Sequence, residues 1–244
     1  MLNCEQIAIS RYAKATGKPI TTSQQVTIIN LNDLNIQELP DLSKFVNAQK
    51  LFAANSKLKT IFPANIKLLE DADFSHNELE TVPDIASDVL FTLNLSHNRL
   101  KLFKIDRFYP HLMELNLSLQ RSDYTFDENF NAFLTRNAPK LRKLYLNGVG
   151  ISTLDLIRDC SLTVLEVENN MISELAQLQF LPKTLQVLKL AGNPVAKVGS
   201  CFDFVCFQCP GIILYNGKEW TEKQVEFSGL KYARGLKGKE RKGQ

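Results

Sequence analysis

The sequence predicts a solenoid of stacked repeats, each contributing one short β-strand. Aliphatic or small apolar residues at positions 1, 4, 6 and 11 recur in seven frames, and successive frames mostly start about 22 residues apart. Position 9 is polar or small in five of the seven frames. The seven frames start at Val26, Ala48, Leu69, Leu90, Leu141, Leu162 and Leu185, and an eighth, degenerate frame starts at Leu112.

Each frame encodes a strand because positions 4 and 6 alternate with polar neighbours. In a strand, successive side chains point to opposite faces, so positions 4 and 6 point inward and positions 3, 5 and 7 point outward. An asparagine at position 9 suits the following turn, where its amide bonds backbone groups of the loop and of the next repeat. Asparagine fills this position at Asn77, Asn98, Asn170 and Asn193. One repeat buries too few aliphatic side chains to offset its ordering entropy, so stacking is required.

The pattern resembles the leucine-rich repeat family, in particular its short, phosphatase-regulatory-like subfamily of about 22-residue repeats. The match extends from Val26 to Val195. The resemblance implies an α/β fold, a right-handed leucine-rich repeat solenoid. Its curved parallel sheet would form the concave face, and short helices or loops would form the convex face.

The segment after the last repeat resembles the C-terminal cap of intracellular leucine-rich repeat proteins. The matching features are an Asn-Pro pair, an aromatic-containing helix and a Pro-x-aliphatic-x-x-aliphatic-x-Gly pattern. They fall at Asn193, Pro194, 202–209, Pro210, Ile213 and Gly217. This cap occurs in phosphatase-regulatory, spliceosomal, axonemal and dynein-associated members of the family.

The chain is predicted to have four segments. They are an N-terminal helical cap (1–25), about eight repeats (26–195) with a long repeat at 112–140, a C-terminal cap (196–230) and a basic flexible tail (231–244). In the N-terminal cap, Asn3 is expected to cap a helix that ends at about Thr16 and stops at Gly17. Ile7 and Tyr12 are its expected buried residues.

The long repeat predicts a helix in place of the tighter loop of the other repeats. Asp127 suits the N-cap, and Phe130, Phe133 and Leu134 follow at helical spacing. We expect this helix to pack inward.

Charge and cysteine content indicate a compartment. The net charge of +3 does not by itself predict a partner. No apolar stretch is long enough for a leader peptide or a membrane span. The cysteine count of five is odd and Cys4 stands alone at the front, whereas extracellular members of the family carry paired cysteines at both caps. A reducing compartment is expected, which favours a cytoplasmic location, cytoskeletal or ciliary, with the nucleus as the alternative.

No residue pattern indicates an enzyme or a cofactor. Cys201, Cys206 and Cys209 invite a metal site, but they lie in an apolar segment where free cysteine packs as a small hydrophobic residue. His76 and His97 occupy the same position of adjacent repeats, so we expect their side chains to stack about 4.8 Å apart. A Ser-His-Asn triplet is common in this repeat turn, so the two histidines are interpreted as structural. The alternative is that they share a ligand or act as a pH switch.

The outward strand positions predict a protein-binding surface. Acidic residues alternate with a basic pair, and aromatic residues lie among them, as at protein interfaces. The alternative is that these side chains only cover and solvate the sheet. The candidate residues are Phe52, Asp71, Asp73, Phe91, Glu114, Arg142, Lys143, Tyr145, Glu166 and Glu168.

The end of the chain carries a second candidate surface. Six basic residues against Glu240 give 231–244 a net charge of +5. They are Lys231, Arg234, Lys237, Lys239, Arg241 and Lys242. This charge suits an acidic polymer such as a tubulin tail or RNA, and the alternative is a solubilising end.

These features predict a non-enzymatic scaffold with a protein partner on the concave face and neither a membrane nor a small-molecule substrate. The family resemblance favours a structural role in a cytoskeletal or ciliary, microtubule-associated assembly. The alternatives are a spliceosomal small-nuclear-particle protein that binds a protein and RNA, and a regulatory subunit of a Ser/Thr phosphatase.

Overall fold

The computed structural model describes residues 3–61, 66–120, 125–126 and 129–240. The chain divides into two compact units, Met1–Leu141 and Arg142–Gln244. The boundary directly follows the long repeat, so the repeat region predicted as one domain contributes to both units. In the described part of the chain, no helix is both long enough and apolar enough to cross a bilayer.

The first unit is built around a parallel sheet. Its elements are α1 (Cys4–Thr16), β1 (Ile28–Asn30), β2 (Lys50–Phe52), β3 (Asp71–Asp73), β4 (Thr92–Asn94), β5 (Leu102–Phe103), β6 (Glu114–Asn116), β7 (Thr125–Phe126) and α2 (Phe130–Ala132). Strands β1, β2, β3, β4 and β6 pair in that order. Strands β5 and β7 form a separate parallel pair. A 3-10 turn at Ser23–Gln25 precedes β1, and a π-helical turn at Phe133–Asn137 continues α2.

The second unit repeats the same plan and ends in helices. Its elements are β8 (Lys143–Tyr145), β9 (Val164–Glu166), β10 (Val187–Lys189), α3 (Cys201–Gln208), β11 (Leu214–Tyr215), β12 (Lys218–Glu219) and α4 (Glu222–Glu240). Strands β8 to β11 are parallel, and β12 pairs antiparallel with β11. Single 3-10 segments lie at Asp155–Ile157, Leu175–Phe180 and Pro194–Lys197.

Strand register and burial confirm the predicted α/β stack of repeats. Position 4 of one repeat pairs with position 4 of the next, as Leu51 does with Ala72 and Ala72 with Leu93. Every residue at positions 4 and 6 is at most 2% exposed. Position 11 is buried in the later repeats, but Ile36 in the first is only half-buried. The hydrophobic core therefore runs through the aliphatic positions of the frame.

The asparagines at position 9 connect neighbouring repeats, but their bonds run to the preceding repeat, whereas bonds to the next repeat were predicted. Asn98 Oδ1 accepts a hydrogen bond from the Leu79 N–H of the preceding repeat at 3.0 Å. Its Nδ2 donates to the Phe74 carbonyl of that repeat and to the Leu95 carbonyl of its own, both at 2.9 Å. In the degenerate repeat, Gln120 makes the same set of bonds, which the sequence analysis did not anticipate.

Position 8 of every repeat has a left-handed backbone. The residues there are Asp33, Asn55, His76, His97, Leu119, Gly148, Asn169 and Gly192, all with φ between 54° and 77°. Glycine, asparagine and aspartate tolerate this conformation, whereas other L-residues meet a steric clash between Cβ and the carbonyl oxygen. Leu119 (φ 59°) is the one aliphatic residue in this set.

We expect Leu119→Asn to raise the free energy of unfolding by about 0.5–1 kcal/mol, because asparagine adopts the left-handed conformation at lower cost. Leu119 is 41% exposed, so little burial is lost. Thermal melting measures the effect. Met113→Asn, at a similarly exposed residue with ordinary φ, is the control and should not raise the melting temperature. A variant at position 119 that melts no higher than the parent would contradict the argument.

The N-terminal helix begins and ends where the sequence predicted. Asn3 Oδ1 accepts a hydrogen bond from the Gln6 N–H at 3.1 Å, and Gly17 ends the helix with φ 65°. The expected buried residues were wrong. Cys4, Ala8 and Ile9 are buried, whereas Ile7 and Tyr12 are half-buried. The Tyr12 hydroxyl shares a hydrogen bond with the hydroxyl of Thr27, the residue before β1, so this side chain is only half-buried.

The helix of the long repeat is present and packs inward as predicted. Phe130, Phe133 and Leu134 are buried. The Phe130 and Phe133 rings lie 4.8 and 5.1 Å from the Phe103 ring. Asp127, the predicted N-cap, lies outside the described residues.

The C-terminal segment differs from the prediction. The helix predicted over 202–209 is present as α3. The chain from Lys231 was expected to be flexible because of its glycines and scarce apolar residues, but α4 continues to Glu240. The reason is tertiary packing: Val225 is buried, and Tyr232 places its ring 4.8 Å from the Phe204 ring of α3. Arg241 and Lys242 lie outside the described residues.

Candidate functional site

A cavity of 290 Å³ lies on the outward face of the sheet in the first unit. The strand register aligns position 3 as Lys50, Asp71, Thr92 and Glu114, and position 5 as Phe52, Asp73, Asn94 and Asn116. Adjacent residues of each column belong to neighbouring strands. The cavity is lined by Phe52, Asp71, Ala72, Asp73, Thr92, Leu93, Asn94, Glu114 and Asn116. The structure therefore brings together four of the predicted site residues.

One carboxylate of this cavity, Asp71, is paired with a neighbouring lysine. Lys50 Nζ lies 2.5 Å from Asp71 Oδ2, and Thr92 Oγ1 donates to Asp71 Oδ1 at 2.8 Å. The hydrogen bond to Asp71 raises the pKa of Lys50, so the lysine stays charged at neutral pH. Asp73 and Glu114 are the other two carboxylates in the lining of the cavity. The cavity combines one aromatic side chain with a net acidic wall.

Position 5 also has a local structural role. Asp73 Oδ1 accepts a hydrogen bond from the Ser75 N–H at 2.8 Å. Asn94 and Asn116 accept equivalent bonds from Ser96 and Ser118. A short polar side chain is therefore needed here to hold the turn after the strand. The turn requires a hydrogen-bond acceptor at this position, which neutral asparagine also provides, so it does not require the negative charge of Asp73.

Phe91, another predicted site residue, is exposed but does not line this cavity. It occupies position 2 of its repeat, and its ring contacts the His111 ring edge-on at 5.9 Å. The pair His76 and His97 stacks as predicted, with ring centroids 3.9 Å apart and planes 14° from parallel. Both histidines belong to the left-handed turn position rather than to the outward strand positions.

The predicted site residues of the second unit form a separate group. Lys143 pairs with Val164, and Tyr145 pairs with Glu166, across β8 and β9. Glu166 does not contribute free acidic charge, because Lys189 Nζ lies 2.8 Å from its Oε1 and Asn147 Nδ2 donates to its Oε2 at 3.1 Å. The pairing with Lys189 was not predicted, although the two residues occupy adjacent positions in the strand register.

The flanking candidates of this unit differ in exposure. Arg142 and Glu168 are half-buried at positions 2 and 7 of their repeats, and Lys143 is exposed. The Arg142 carbonyl accepts hydrogen bonds from the Thr163 and Val164 N–H groups. The backbone of Arg142 is thus part of the sheet framework. Glu168 lies at the end of the strand face.

A second cavity, of 610 Å³, lies away from the outward strand positions of the first unit. Its lining residues come from two consecutive loops: Val82, Pro83, Asp84, Asp88, Lys104, Ile105, Asp106, Arg107 and Phe108. Arg107 donates two hydrogen bonds to Asp84, at 2.5 and 3.1 Å. This cavity was not predicted, because no repeat position marks these loops.

The cysteines of the C-terminal segment are buried. Cys201, Cys206 and Cys209 carry free thiols, and burial raises the pKa of Cys206 and of Cys209 to about 12. These thiols are therefore protonated at neutral pH, which disfavours both nucleophilic attack and metal binding. Among the described residues, no group of three or more His, Cys, Asp or Glu side chains is placed to hold a metal ion.

Solved structures share this architecture. Internalin C2 of Listeria monocytogenes matches with a TM-score of 0.59 at 18% identity, and the match covers 79% of this chain and 89% of that chain. The leucine-rich repeat domain of a Shigella effector has a TM-score of 0.54 at 17% identity, covering 79% of this chain and 80% of that chain. The chain has the leucine-rich repeat fold. No family model matches the chain.

Curated relatives are similar over part of their length. A putative leucine-rich repeat protein, R380, of Acanthamoeba polyphaga mimivirus is 28% identical over 152 residues, 62% of this chain and 32% of the relative. The U2 small nuclear ribonucleoprotein A' of Eremothecium gossypii is 37% identical over 94 residues, 36% and 38% of the two chains. A Roc-COR-CHAT protease of an unknown prokaryotic organism is 29% identical over 169 residues, 68% of this chain and 15% of the relative. The leucine-rich repeat chain thus spans between 15% and 38% of these relatives.

Proposed function

We propose that the chain is a non-enzymatic protein-binding scaffold of the short-repeat, intracellular type, and that the sheet cavity of the first unit holds its partner. The observation that carries the proposal is the cavity itself, where Phe52 pairs with Asp73 on the adjacent strand and Glu114 lines the same outward sheet face. Aromatic anchors within a charged rim are typical of protein interfaces.

The chemistry of the cavity indicates the kind of partner. Asp71 is already paired with Lys50, whereas Asp73 is the partner of Phe52 in the strand register and supplies the negative charge beside that ring. A partner segment that presents a lysine or arginine next to an apolar side chain would complement both the carboxylates and the Phe52 ring. In the second unit, Lys143 and Tyr145 combine a positive charge with an aromatic ring, so this group would contact a partner segment of a different charge.

Two assemblies are proposed for this scaffold. The cytoskeletal or ciliary role is inferred from the family resemblance of the repeats and the C-terminal cap. A role in a small nuclear particle is supported by the 37% identity to a U2 small nuclear ribonucleoprotein A'. In both assemblies the chain acts through binding, and a cytoplasmic or nuclear location follows from the assembly.

The test is affinity purification with the intact chain in two matched variants. Asp73→Asn with Glu114→Gln removes the cavity charge. It keeps the turn at Ser75, because asparagine makes the same bond in the neighbouring repeats. We expect recovery of the main partner to fall about ten-fold or more, since hydrogen bonds to charged groups contribute about 1.5–3 kcal/mol. Quantitative mass spectrometry of the purified complexes measures it.

The control variant removes two exposed carboxylates outside the cavity, Glu38→Gln with Asp88→Asn. It should recover the partner as the parent does. Equal recovery by both variants would contradict binding at the cavity. The identity of the partner separates the two assemblies: tubulin or axonemal proteins support the first, and small-nuclear-particle proteins support the second.

A further inference from the structure

One side of helix α4 is fixed against α3. Val225, Gly229 and Tyr232 follow each other at spacings of four and three residues, so they share one helix face. Val225 is buried, and a Cβ atom added at Gly229 would lie 3.3 Å from the backbone of Cys206. The Tyr232 ring lies 4.8 and 5.6 Å from the Phe204 and Phe207 rings. This close packing sets the rotation of α4 about its axis.

The side of α4 that points away from α3 is apolar and basic. Lys223, Phe227, Leu230 and Arg234 follow each other at spacings of four, three and four residues, which places them on one face. We call these four residues the outer face of α4. Phe227 is 69% exposed and Leu230 is 50% exposed. Two large apolar side chains therefore project together from a helix, with a cation one turn before them and another one turn after.

The charge around this face is also positive. Lys231 pairs with Asp203 of α3 at 2.7 Å, yet its side chain remains 64% exposed. The residues of α4 include five basic and three acidic side chains in the sequence. Of the acids, Glu222 lies to the side of the outer face. Glu226 follows Lys223 by three residues and precedes Leu230 by four, so it borders the outer face, where the two cations outnumber it.

We propose that the outer face of α4 attaches the protein to the surface of an anionic lipid bilayer. A helix that lies in the membrane interface inserts Phe and Leu side chains at the boundary between headgroups and acyl chains, while Lys and Arg contact the anionic headgroups. Phe227 and Leu230 supply the insertion, and Lys223 and Arg234 supply the headgroup contacts. Attachment of this kind needs no spanning helix. A membrane partner was not predicted, because the sequence has no spanning segment and the residues from Lys231 were expected to be flexible rather than helical.

The composition of the face favours a bilayer over the other occupants. RNA or an acidic protein tail would use the cations, and RNA would also stack on the Phe227 ring, but neither uses an exposed Leu230. A second copy of the chain would bring the cations of one outer face close to those of the other, which is unfavourable.

The experiment measures binding of the intact chain to vesicles. Trp220 is the one tryptophan of the chain and lies two residues before α4, so energy transfer from Trp220 to a dansyl-labelled lipid reports attachment at this helix. We expect transfer with phosphatidylcholine vesicles that contain about 30% phosphatidylserine, and little transfer with phosphatidylcholine alone. Added salt should weaken the transfer by screening the charges.

Paired variants separate insertion from simple charge attraction. Phe227→Ser with Leu230→Ser should raise the lipid concentration needed for half-maximal binding at least about ten-fold. Lys223→Glu with Arg234→Glu should abolish the preference for anionic vesicles. Met171→Ser, at an apolar residue that is 64% exposed, and Lys183→Glu, at an exposed lysine, are the controls and should bind as the parent does. Melting temperatures confirm that all variants are folded.

Three results would overturn the proposal. The first is a parent chain that binds no anionic vesicles. The second is a double-serine variant that binds them as tightly as the parent, which would leave only non-specific attraction between charges. The third is a parent chain that binds single-stranded RNA but not vesicles, and that loses RNA binding in the variant with Lys223→Glu and Arg234→Glu. That result would assign the face to a nucleic acid.

Discussion

Replacing Leu95 by alanine should lower the free energy of unfolding by about 2–5 kcal/mol, the range for deleting a buried leucine side chain when the cavity does not collapse. Leu95 occupies position 6 of a central repeat and is fully buried. Collapse is restricted because the backbone on both sides is fixed. The Leu95 N–H donates to the Asn116 carbonyl at 2.8 Å, and the Leu95 carbonyl accepts from Asn98 and Gln120.

Denaturant titration followed by circular dichroism measures this loss. The neighbouring Asn94→Ala is the control, because Asn94 is half-buried on the outward face and its side chain accepts local hydrogen bonds from Ser96. It should cost about 1 kcal/mol or less. Equal losses for the two variants would mean that the inward and outward strand positions are assigned the wrong way round.

The strand register could be predicted because it depends on side-chain alternation within each repeat. A strand turns successive side chains to opposite faces, so one aliphatic frame fixes which residues are inward throughout the stack. The same frame correctly aligned Asp71 with Glu114 and Phe52 with Asp73, although these residues are far apart in sequence. The helix around Phe130 was predictable for a similar reason, since its apolar residues recur at helical spacing.

Interactions between elements without a repeat position were not predictable. Nothing in the sequence places the loop that carries Asp84 beside the one that carries Arg107, so their ion pair and the larger cavity were missed. The helix α4 was missed because its glycines disfavour an isolated helix. One of them, Gly229, instead permits the close approach to Cys206 that stabilises it.

The charges of the candidate site were only partly predictable. The sequence identified the acidic residues of the outward positions, but it treated them as one column. Pairing of Asp71 with Lys50 and of Glu166 with Lys189 neutralises two of them. Each pair joins adjacent strands at the same repeat position, so the register contained this information once both charges of a column were considered together.

The second large effect is expected at Asn98, where alanine should lower the free energy of unfolding by about 2–4 kcal/mol. Asn98 is fully buried, and its side chain accepts from the Leu79 N–H and donates to the carbonyls of Phe74, Leu95 and Ser96. Alanine leaves the Leu79 N–H without this bond in a site closed to water. An unsatisfied buried polar group costs about 1–3 kcal/mol, and the small side chain also leaves a cavity.

Two measurements check this prediction. Denaturant titration gives the total loss, for which Arg99→Ala is the control. The Arg99 side chain is exposed and forms a surface ion pair with Glu78 at 3.3 Å, so its truncation to alanine, which keeps the backbone bonds, should cost under about 1 kcal/mol. Amide hydrogen exchange gives the local effect, and the Leu79 amide should exchange faster in Asn98→Ala than in the parent by more than the global loss explains. If Leu79 stays as protected as in Arg99→Ala, the position 9 side chain is not what holds adjacent repeats together, and the aliphatic core alone stabilises the stack.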